Sequence, residues 1–297
     1  ALAAGVVLEN AGTITMTGDR NTAIYATGTP GYTAKNSGTI TLGDSAAITN
    51  PNVGLYTDHD TVTLENTGTI NSGNNTIGIY GYKVENSGDL KIGNAAIGIY
   101  SQSGDVNLTG GTITTGTDEA VGVYTVGNKQ TVTNSGTAFN IGNNSFGFVN
   151  VGSGNKINST IASNTLGTSS VYIYSNDTSG LVNNSTKLNS TGNNNYGIYS
   201  AGTVTNSGDI TYSANSIGNV GIFSVQGGTA SNSGTITVGE SDSSQNLYSI
   251  AMAAGYIDND KNSATYGKVM TTGNVTNTGT LKVNGNSSIG MYAVGSG

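Results

Sequence analysis

The chain has 297 residues, of which 46 are glycine and only 9% are charged, and it contains neither cysteine nor tryptophan. Its formal net charge of −7 argues against nucleic-acid binding, which needs a basic surface stripe. No apolar run reaches the roughly 18 residues of a membrane helix, so this segment is not expected to insert into a membrane. Isoleucine, valine, threonine and tyrosine are regularly spaced, which predicts many short strands joined by turns.

Three short motifs recur in a fixed order along the chain. The first motif is a weak strand signal such as Thr61-Val-Thr-Leu64. The second motif follows it and consists of an asparagine, any residue, a glycine, any residue and an apolar residue, as in Asn66-Thr-Gly-Thr-Ile70. Nine of the ten spacings between copies of this second motif fall between 20 and 30 residues, and the last is 45. With degenerate copies included, it occurs eleven times, at Asn10, Asn36, Asn66, Asn86, Thr109, Asn134, Asn158, Asn184, Asn206, Asn232 and Asn277.

A third motif, centred on Gly-Ile-Tyr, follows each of these copies and predicts another strand. Its copies are Ala23-Ile-Tyr25, Gly54-Leu-Tyr56, Gly78-Ile-Tyr80, Gly98-Ile-Tyr100, Gly122-Val-Tyr124, Gly147-Phe-Val149, Tyr172-Ile-Tyr174, Gly197-Ile-Tyr199, Gly221-Ile-Phe223, Ser249-Ile-Ala251 and Gly290-Met-Tyr292. Three strands per period of about 25 residues, with no helical spacing of apolar residues, are typical of a three-sided solenoid.

The sequence therefore predicts an all-β protein, a right-handed parallel β-helix of about eleven coils over residues 1–297. The handedness rests on the family resemblance described below and on the general chirality of β crossovers, and not on any residue of this chain. One longer insertion, at 252–273, interrupts the period and is expected to protrude as a loop.

Strand alternation predicts which side chains face the core. Ile77 and Ile79 are expected to point inward, and Gly78 and Tyr80 outward. At the preceding corner, the asparagines are expected to hydrogen-bond each other from coil to coil. The glycine two positions later is expected to supply a positive φ where the chain turns.

These repeats, of the form N-S-G-T-I followed by G-I-Y in an asparagine-rich, cysteine-free chain, resemble the passenger domains of monomeric (type Va) autotransporters. They are most similar to the large fusobacterial autotransporter adhesins, and the resemblance covers residues 5 to 295. The heads of trimeric autotransporters are an alternative, but they have shorter coils and heptad-patterned stalks, and this sequence has no heptads.

The resemblance implies export through a C-terminal β-barrel translocator, which would lie outside this segment, and display on the outer membrane as an extracellular passenger. It implies a virulence-associated, non-enzymatic adhesin segment that binds a host-cell receptor protein, a glycan or the surface of another bacterium. The alternative is a structural spacer that carries a distal adhesive tip. No cofactor is expected.

The insertion at 252–273 is the first candidate binding site, because loops inserted into solenoids often lie on the binding face. Its apolar side chains are costly to expose, although it could equally be a loop that merely packs on the coils. The alternate oxygen ligands at its centre resemble the start of a calcium loop, but Ser263 and Val269 occupy the positions of the expected glycine and glutamate. The candidate residues in this insertion are Tyr256, Ile257, Asp258, Asp260 and Tyr266.

The tyrosine column of the third motif is the second candidate, represented by Tyr80, Tyr100 and Tyr124. Exposed aromatic rings can hold sugar rings or anchor a protein partner. The alternative interpretation is ring-on-ring stacking that stiffens the solenoid, which the coil spacing of about 4.8 Å allows.

Enzymatic chemistry is disfavoured. The charged residues before successive asparagines, at Glu9, Lys35, Glu65 and Glu85, suit cross-strand pairing on a solvated face better than the cleavage of polysaccharides. The single histidine, His59, follows the serine of Gly43-Asp44-Ser45 in the chain, which does not fit a serine-protease triad in similar passengers. With one histidine and no cysteine, a zinc site is not expected.

Overall fold

The computed structural model describes residues 7–28, 32–161 and 163–295. They form a parallel β-helix of about eleven coils, in which each coil contributes one strand to each of three sheets of eleven strands. The predicted fold class is confirmed. Among the described residues, no helix is long and apolar enough to cross a membrane.

Sheet A contains the strands that end at the asparagine corner. They are β1 Val7–Asn10, β4 Thr33–Asn36, β7 Thr63–Asn66, β10 Lys83–Asn86, β13 Val106–Leu108, β16 Thr131–Asn134, β19 Lys156–Ser159, β22 Leu181–Asn184, β25 Thr203–Asn206, β28 Thr229–Asn232 and β33 Asn274–Asn277.

Sheet B follows the asparagine corner in each coil. Its strands are β2 Thr13–Met16, β5 Thr39–Leu42, β8 Thr69–Ser72, β11 Asp89–Lys91, β14 Thr112–Thr114, β17 Ala138–Ile141, β20 Ser163–Leu166, β23 Lys187–Ser190, β26 Ile210–Tyr212, β29 Thr235–Val238 and β34 Thr280–Val283.

Sheet C carries the Gly-Ile-Tyr motif. Its strands are β3 Thr22–Ala26, β6 Val53–Thr57, β9 Ile77–Gly81, β12 Ile97–Ser101, β15 Val121–Thr125, β18 Phe146–Asn150, β21 Val171–Ser175, β24 Tyr196–Ser200, β27 Val220–Ser224, β30 Ile250–Ala254 and β35 Ile289–Ala293.

The asparagines at the corner between sheets A and B form the predicted ladder. The side-chain amide of Asn36 donates to Asn66 Oδ1 at 2.8 Å, and that of Asn66 donates to Asn86 Oδ1 at the same distance. A second run links Asn184 to Asn206 at 2.7 Å and continues to later coils. Because these side chains are buried, the ladder satisfies polar groups that would otherwise be costly to remove from water.

The glycine of the same corner has a different role from the one predicted. Glycines such as Gly38 and Gly88 are not among the residues with positive φ. Instead, the coils approach so closely that a Cβ on Gly88 would lie 2.0 Å from the carbonyl oxygen of Gly68 in the preceding coil. Positive φ occurs at the corner between sheets B and C, where non-glycine residues such as Asn75 and Asn144 adopt it.

The predicted facing of sheet C is right for Ile79, which is fully buried, and for Tyr80, which lies in the outer ring column, but it is wrong for the glycine position and for the first residue of the strand. Gly122 occupies the position of Gly78 two coils later. A Cβ on Gly122 would lie 2.8 Å from the core ring of Phe139, so the glycine position faces inward. Tyr172 replaces this glycine in β21 and is fully buried. Throughout sheet C the pairing register skips the glycine position, and the strand bends there. Two consecutive side chains, the glycine and the next apolar residue, therefore point inward.

As a consequence, the first residue of each sheet C strand faces outward beside the tyrosine column. The ring of Tyr196 packs on Phe223 with centroids 6.0 Å apart, and Phe146 packs on Tyr174 at 6.2 Å. The outer face of sheet C is thus a double column of apolar and aromatic side chains, which is called the aromatic stripe below.

The insertion begins later than the sequence indicated. Met252 pairs with Ile222, and Ala253 lies in the tyrosine column beside Phe223, so both belong to strand β30. The sequence alignment of Ser249-Ile-Ala251 with Gly-Ile-Tyr was two residues out of register. The inserted chain forms a hairpin, in which β31 Tyr256–Ile257 pairs antiparallel with β32 Val269–Thr271.

Candidate binding site on the aromatic stripe

The tyrosine column forms a ladder of stacked rings over the first five coils. Ring centroids of Tyr80 and Tyr100 are 4.8 Å apart with nearly parallel planes, and Tyr100 and Tyr124 are 5.4 Å apart. Tyr25 and Tyr56 extend the ladder at spacings of 5.3 and 5.2 Å. The three predicted tyrosines therefore lie next to each other on one face.

The ladder has two breaks. The first is at Val149, where the neighbouring Phe146 ring packs edge-on against Tyr174 and Val149 is itself buried. A second run then joins Tyr174, Tyr199 and the following phenylalanine at 5.1 and 5.2 Å. The second break is at Ala253.

A cleft of about 380 Å³ opens at this second break. It lies between two insertions. The segment 239–249, which links sheets B and C, supplies Tyr248, and the hairpin supplies Tyr256, Ile257 and Asn259. The aromatic stripe provides the rest of the lining, namely Tyr196, Val220, Phe223, Ile250, Ala253, Ile289 and Tyr292, with Gly255 at the start of the hairpin.

The lining of this cleft is uncharged at neutral pH. Its polar groups are tyrosine hydroxyls, the Asn259 amide and backbone. Burial raises the pKa of Tyr196, and burial together with the neighbouring Tyr174, Tyr196 and Tyr256 raises the pKa of Tyr199 beside the cleft. These phenols stay protonated, so the surface offers ring faces and hydroxyls but no charge.

The turn of the hairpin is built by two of the predicted site residues. Asp258 Oδ1 accepts from the Asp260 amide at 2.9 Å, and Asp258 Oδ2 accepts from the Thr265 hydroxyl at 2.5 Å. Asp260 Oδ1 accepts from the Asn262 amide at 2.9 Å. Both carboxylates therefore shape the turn in the manner of Asx motifs. Tyr266 lies on the same turn and is half exposed.

The partial calcium motif at the centre of the insertion is not part of a cluster of metal-ligating side chains in the described part of the chain. In residues 7–28, 32–161 and 163–295, no group of three or more His, Cys, Asp or Glu side chains is placed to hold an ion. The partial calcium motif instead supplies the hydrogen bonds of the hairpin turn.

A second cleft, of about 420 Å³, lies at the other end of the stripe. Another insertion between sheets B and C, residues 43–52, supplies Ile48, Thr49 and Pro51, and the stripe supplies Tyr56, Tyr80 and Tyr100 among others. Tyr124 continues the ring ladder beyond this cleft. The predicted tyrosines and the insertion that was predicted as a loop are thus on one face but belong to separate clefts.

The other charged and nucleophilic candidates have ordinary surface or structural contacts. Lys35 Nζ lies 3.1 Å from Glu65 Oε1, as expected for cross-strand pairing, and Asn107 donates to Glu85 at 3.0 Å. His59 Nδ1 lies 3.0 Å from the Thr61 hydroxyl. The Ser45 hydroxyl accepts from the backbone amide of Asn52.

The sequence predicted the insertion as a protruding loop but did not identify the residues that complete its cleft. Tyr248, Phe223 and Tyr292 line it, and their relation to the hairpin depends on the register of β30, which the repeat motif does not show. No family model, curated protein or solved structure matches this chain. Its class is therefore defined by its own geometry: it is a parallel β-helix repeat protein with an aromatic stripe and two flanked clefts.

Proposed function

We propose that this chain is a segment of a type Va autotransporter passenger, displayed at the bacterial outer membrane, which adheres to host cells or other bacteria through the aromatic stripe. The observation that carries the proposal is the cleft at Ala253, where Tyr248, Tyr256 and Tyr292 converge at the surface. Aromatic side chains grouped at a concave site are typical anchors for a binding partner.

The chemistry of the cleft favours binding over catalysis. Its lining contains no carboxylate, histidine or lysine that could move a proton. The solenoid also suits adhesion, because stacked coils present an extended surface on which each insertion adds a local recognition element. The hairpin and the segment 239–249 are two such insertions, one at each end of strand β30.

The test is binding of the fluorescently labelled 297-residue protein to epithelial cells and to a panel of bacteria. In the key variant, residues 255–273 are replaced by Ala-Gly, the two-residue connection that joins Ser200 to Thr203 in a regular coil. We expect this variant to keep its β-rich circular dichroism spectrum and to lose cell binding.

A matched control changes an equally exposed surface elsewhere. Thr165, Asn189 and Thr211 line a shallow outer depression of sheet B, and their replacement by alanine should leave cell binding unchanged. Equal binding by the wild-type protein and the hairpin variant would remove the cleft from the proposal.

The second candidate function is a spacer that holds an adhesive tip away from the membrane. The asparagine and tyrosine ladders favour it, because both join successive coils along the solenoid axis. Failure of the isolated chain to bind any cell type, together with binding by a longer parent protein, would select the spacer.

A further inference from the structure

The break at Ala253 leaves a gap in the ring column. Ala253 lies in register between Phe223 on one side and Tyr292 on the other. These two residues are two coils apart, or about 10 Å at the usual spacing of neighbouring strands. One additional ring midway would lie about 5 Å from each neighbour, within the range of 4.5–7 Å that aromatic pairs favour.

The break at Val149 shows that an absent ring does not by itself create a site. There the Phe146 ring packs against Tyr174 and occupies the space beside Val149. Burial of the column residue does not separate the two breaks, because Val149 is 8% exposed and Ala253 is 3% exposed. At Ala253 the corresponding first residue of the strand is Ile250, which has no ring to place in the gap. The cleft of about 380 Å³ remains beside it.

The walls of the gap select the chemistry of its occupant. Val220, Ile250 and Ile289 provide an apolar floor, and Tyr248 and Tyr256 provide aromatic sides. A charged group would lose its hydration there without a counter-charge. A sugar would have to pair several hydroxyls with a few tyrosine hydroxyls and one asparagine amide, and each unpaired hydroxyl is costly.

We infer that the cleft at Ala253 binds one uncharged aromatic ring, supplied by a phenylalanine, tyrosine or tryptophan side chain of a partner protein, which completes the ring column between Phe223 and Tyr292. This inference rests on the proposed adhesive function and names the chemistry of its partner. The remaining volume accommodates the residues that flank the ring in the partner chain.

The first measurement uses N-acetyltryptophanamide as the probe. Because the protein contains no tryptophan, indole fluorescence reports on the probe alone. We expect a saturable blue shift of its emission on titration with the 297-residue protein. Ala253→Tyr should fill the gap from within and weaken probe binding at least tenfold. Thr205→Tyr, which adds the same ring to an exposed position on sheet A, should leave probe binding unchanged.

A second pair of variants keeps the test decisive if Ala253→Tyr does not fold. Tyr248→Ala and Tyr256→Ala remove exposed walls of the cleft, so the fold should tolerate them and probe affinity should fall severalfold. Undiminished probe binding in these variants would overturn the inference. So would saturable binding of N-acetylglucosamine by a protein that does not bind the probe, because a glycan site would then be indicated.

Cell binding separates this inference from the proposed function. Suppose that the wild-type protein binds the probe, that Ala253→Tyr loses this binding, and that the wild-type protein binds no cells. This result would support the ring site and contradict adhesion by this segment. If the wild-type protein and Ala253→Tyr bind cells equally and the wild-type protein does not bind the probe, the result would support adhesion and contradict the ring site.

Discussion

The glycines of the Asn-x-Gly corner are required by the backbone of the preceding coil. A Cβ on Gly38, Gly68 or Gly88 would lie 2.0 to 2.1 Å from a carbonyl oxygen of that coil. Because the obstacle is backbone in a ladder of hydrogen bonds, it cannot move aside as a flexible side chain would. Apart from Gly111, which has a φ of 70°, the recurrence of glycine at this corner thus reports on coil spacing and not on a positive φ.

Gly88→Ala is expected to lower the free energy of unfolding by about 1–3 kcal/mol, the usual cost of overpacking. Gly12→Ala is the matched control, because Gly12 belongs to the first described coil and the nearest atom to its added Cβ is Asn10 Oδ1 at 4.0 Å. Urea denaturation followed by circular dichroism measures both. Equal stability of the two variants would contradict the steric account.

The hydroxyl of Tyr172 is buried, and its environment makes the free energy of unfolding depend on pH at high pH. Burial raises its pKa to about 12, despite hydrogen bonds to the Ser159 hydroxyl at 2.8 Å and from the Asn164 amide at 3.0 Å. In the unfolded chain a tyrosine ionises near pH 10. The native state therefore keeps a proton that the unfolded state loses.

The sign of the linkage follows from this proton count. The contribution of Tyr172 is fully present below about pH 10 and is lost as the pH rises from about 10 to about 12, by roughly 1.4 kcal/mol per pH unit. Tyr172→Phe should cost about 1 kcal/mol at pH 7 through the lost hydrogen bonds. It should also flatten the fall in stability above pH 10, measured by urea denaturation at a series of pH values, and an unchanged slope would refute the assignment.

The inward-facing residues of sheets A and B could be predicted from alternation, whereas those of sheet C could be predicted only in part. Leu64 and Asn66 of β7 face inward as period-two alternation requires. In β9 the bend at Gly78 turns two consecutive residues inward, and alternation carries no information about such a bend. The requirement for glycine there is steric, because a Cβ on Gly78 would lie 2.6 Å from the carbonyl oxygen of Gly98 in the next coil, and only the assembled coils reveal this contact.

In the candidate site, too, some residues could be predicted from the sequence and others could not. Tyr256 and Ile257 were accessible from sequence because one period is lengthened to 45 residues, by the hairpin together with the segment 239–249. Tyr248 and Tyr292 were not, because their relation to the hairpin depends on the register of β30. Ser249-Ile250 imitates Gly-Ile, and the true column position is Ala253, which has no ring to mark it.

The tyrosine ladder is expected to stabilise sheet C as a unit. Replacing Tyr80, Tyr100 and Tyr124 by serine removes three stacked pairs, including the pair with Tyr56, each worth about 0.5–1.5 kcal/mol beyond area burial. The thermal unfolding midpoint should therefore fall clearly. Tyr266→Ser removes an exposed ring from the hairpin turn and should change stability by less than about 0.5 kcal/mol. A midpoint as high as that of this control would show that the stacking contributes nothing.

Along the whole molecule, both ladders are interrupted in the middle coils. The asparagine column holds Leu108 and Ser159 on either side of Asn134, and the tyrosine column breaks at Val149. The interior compensates with an aromatic cluster, in which the ring of Phe148 lies 4.6 Å from that of Phe139 and 5.6 Å from that of Tyr172. This cluster connects an N-terminal and a C-terminal ladder segment.

Phe148→Ala should therefore do more than lower stability. Its cavity should cost about 3–5 kcal/mol, and because each coil of a solenoid contacts only its neighbours, the two ladder segments should then unfold at separate urea concentrations. Ile79→Ala is the control, since it removes a fully buried side chain inside one ladder segment, costs about 2–5 kcal/mol and leaves the central junction intact. Amide hydrogen exchange followed by mass spectrometry resolves the segments. Coincident unfolding of both segments in Phe148→Ala would show that backbone pairing alone couples them across the ladder breaks, without help from the aromatic cluster.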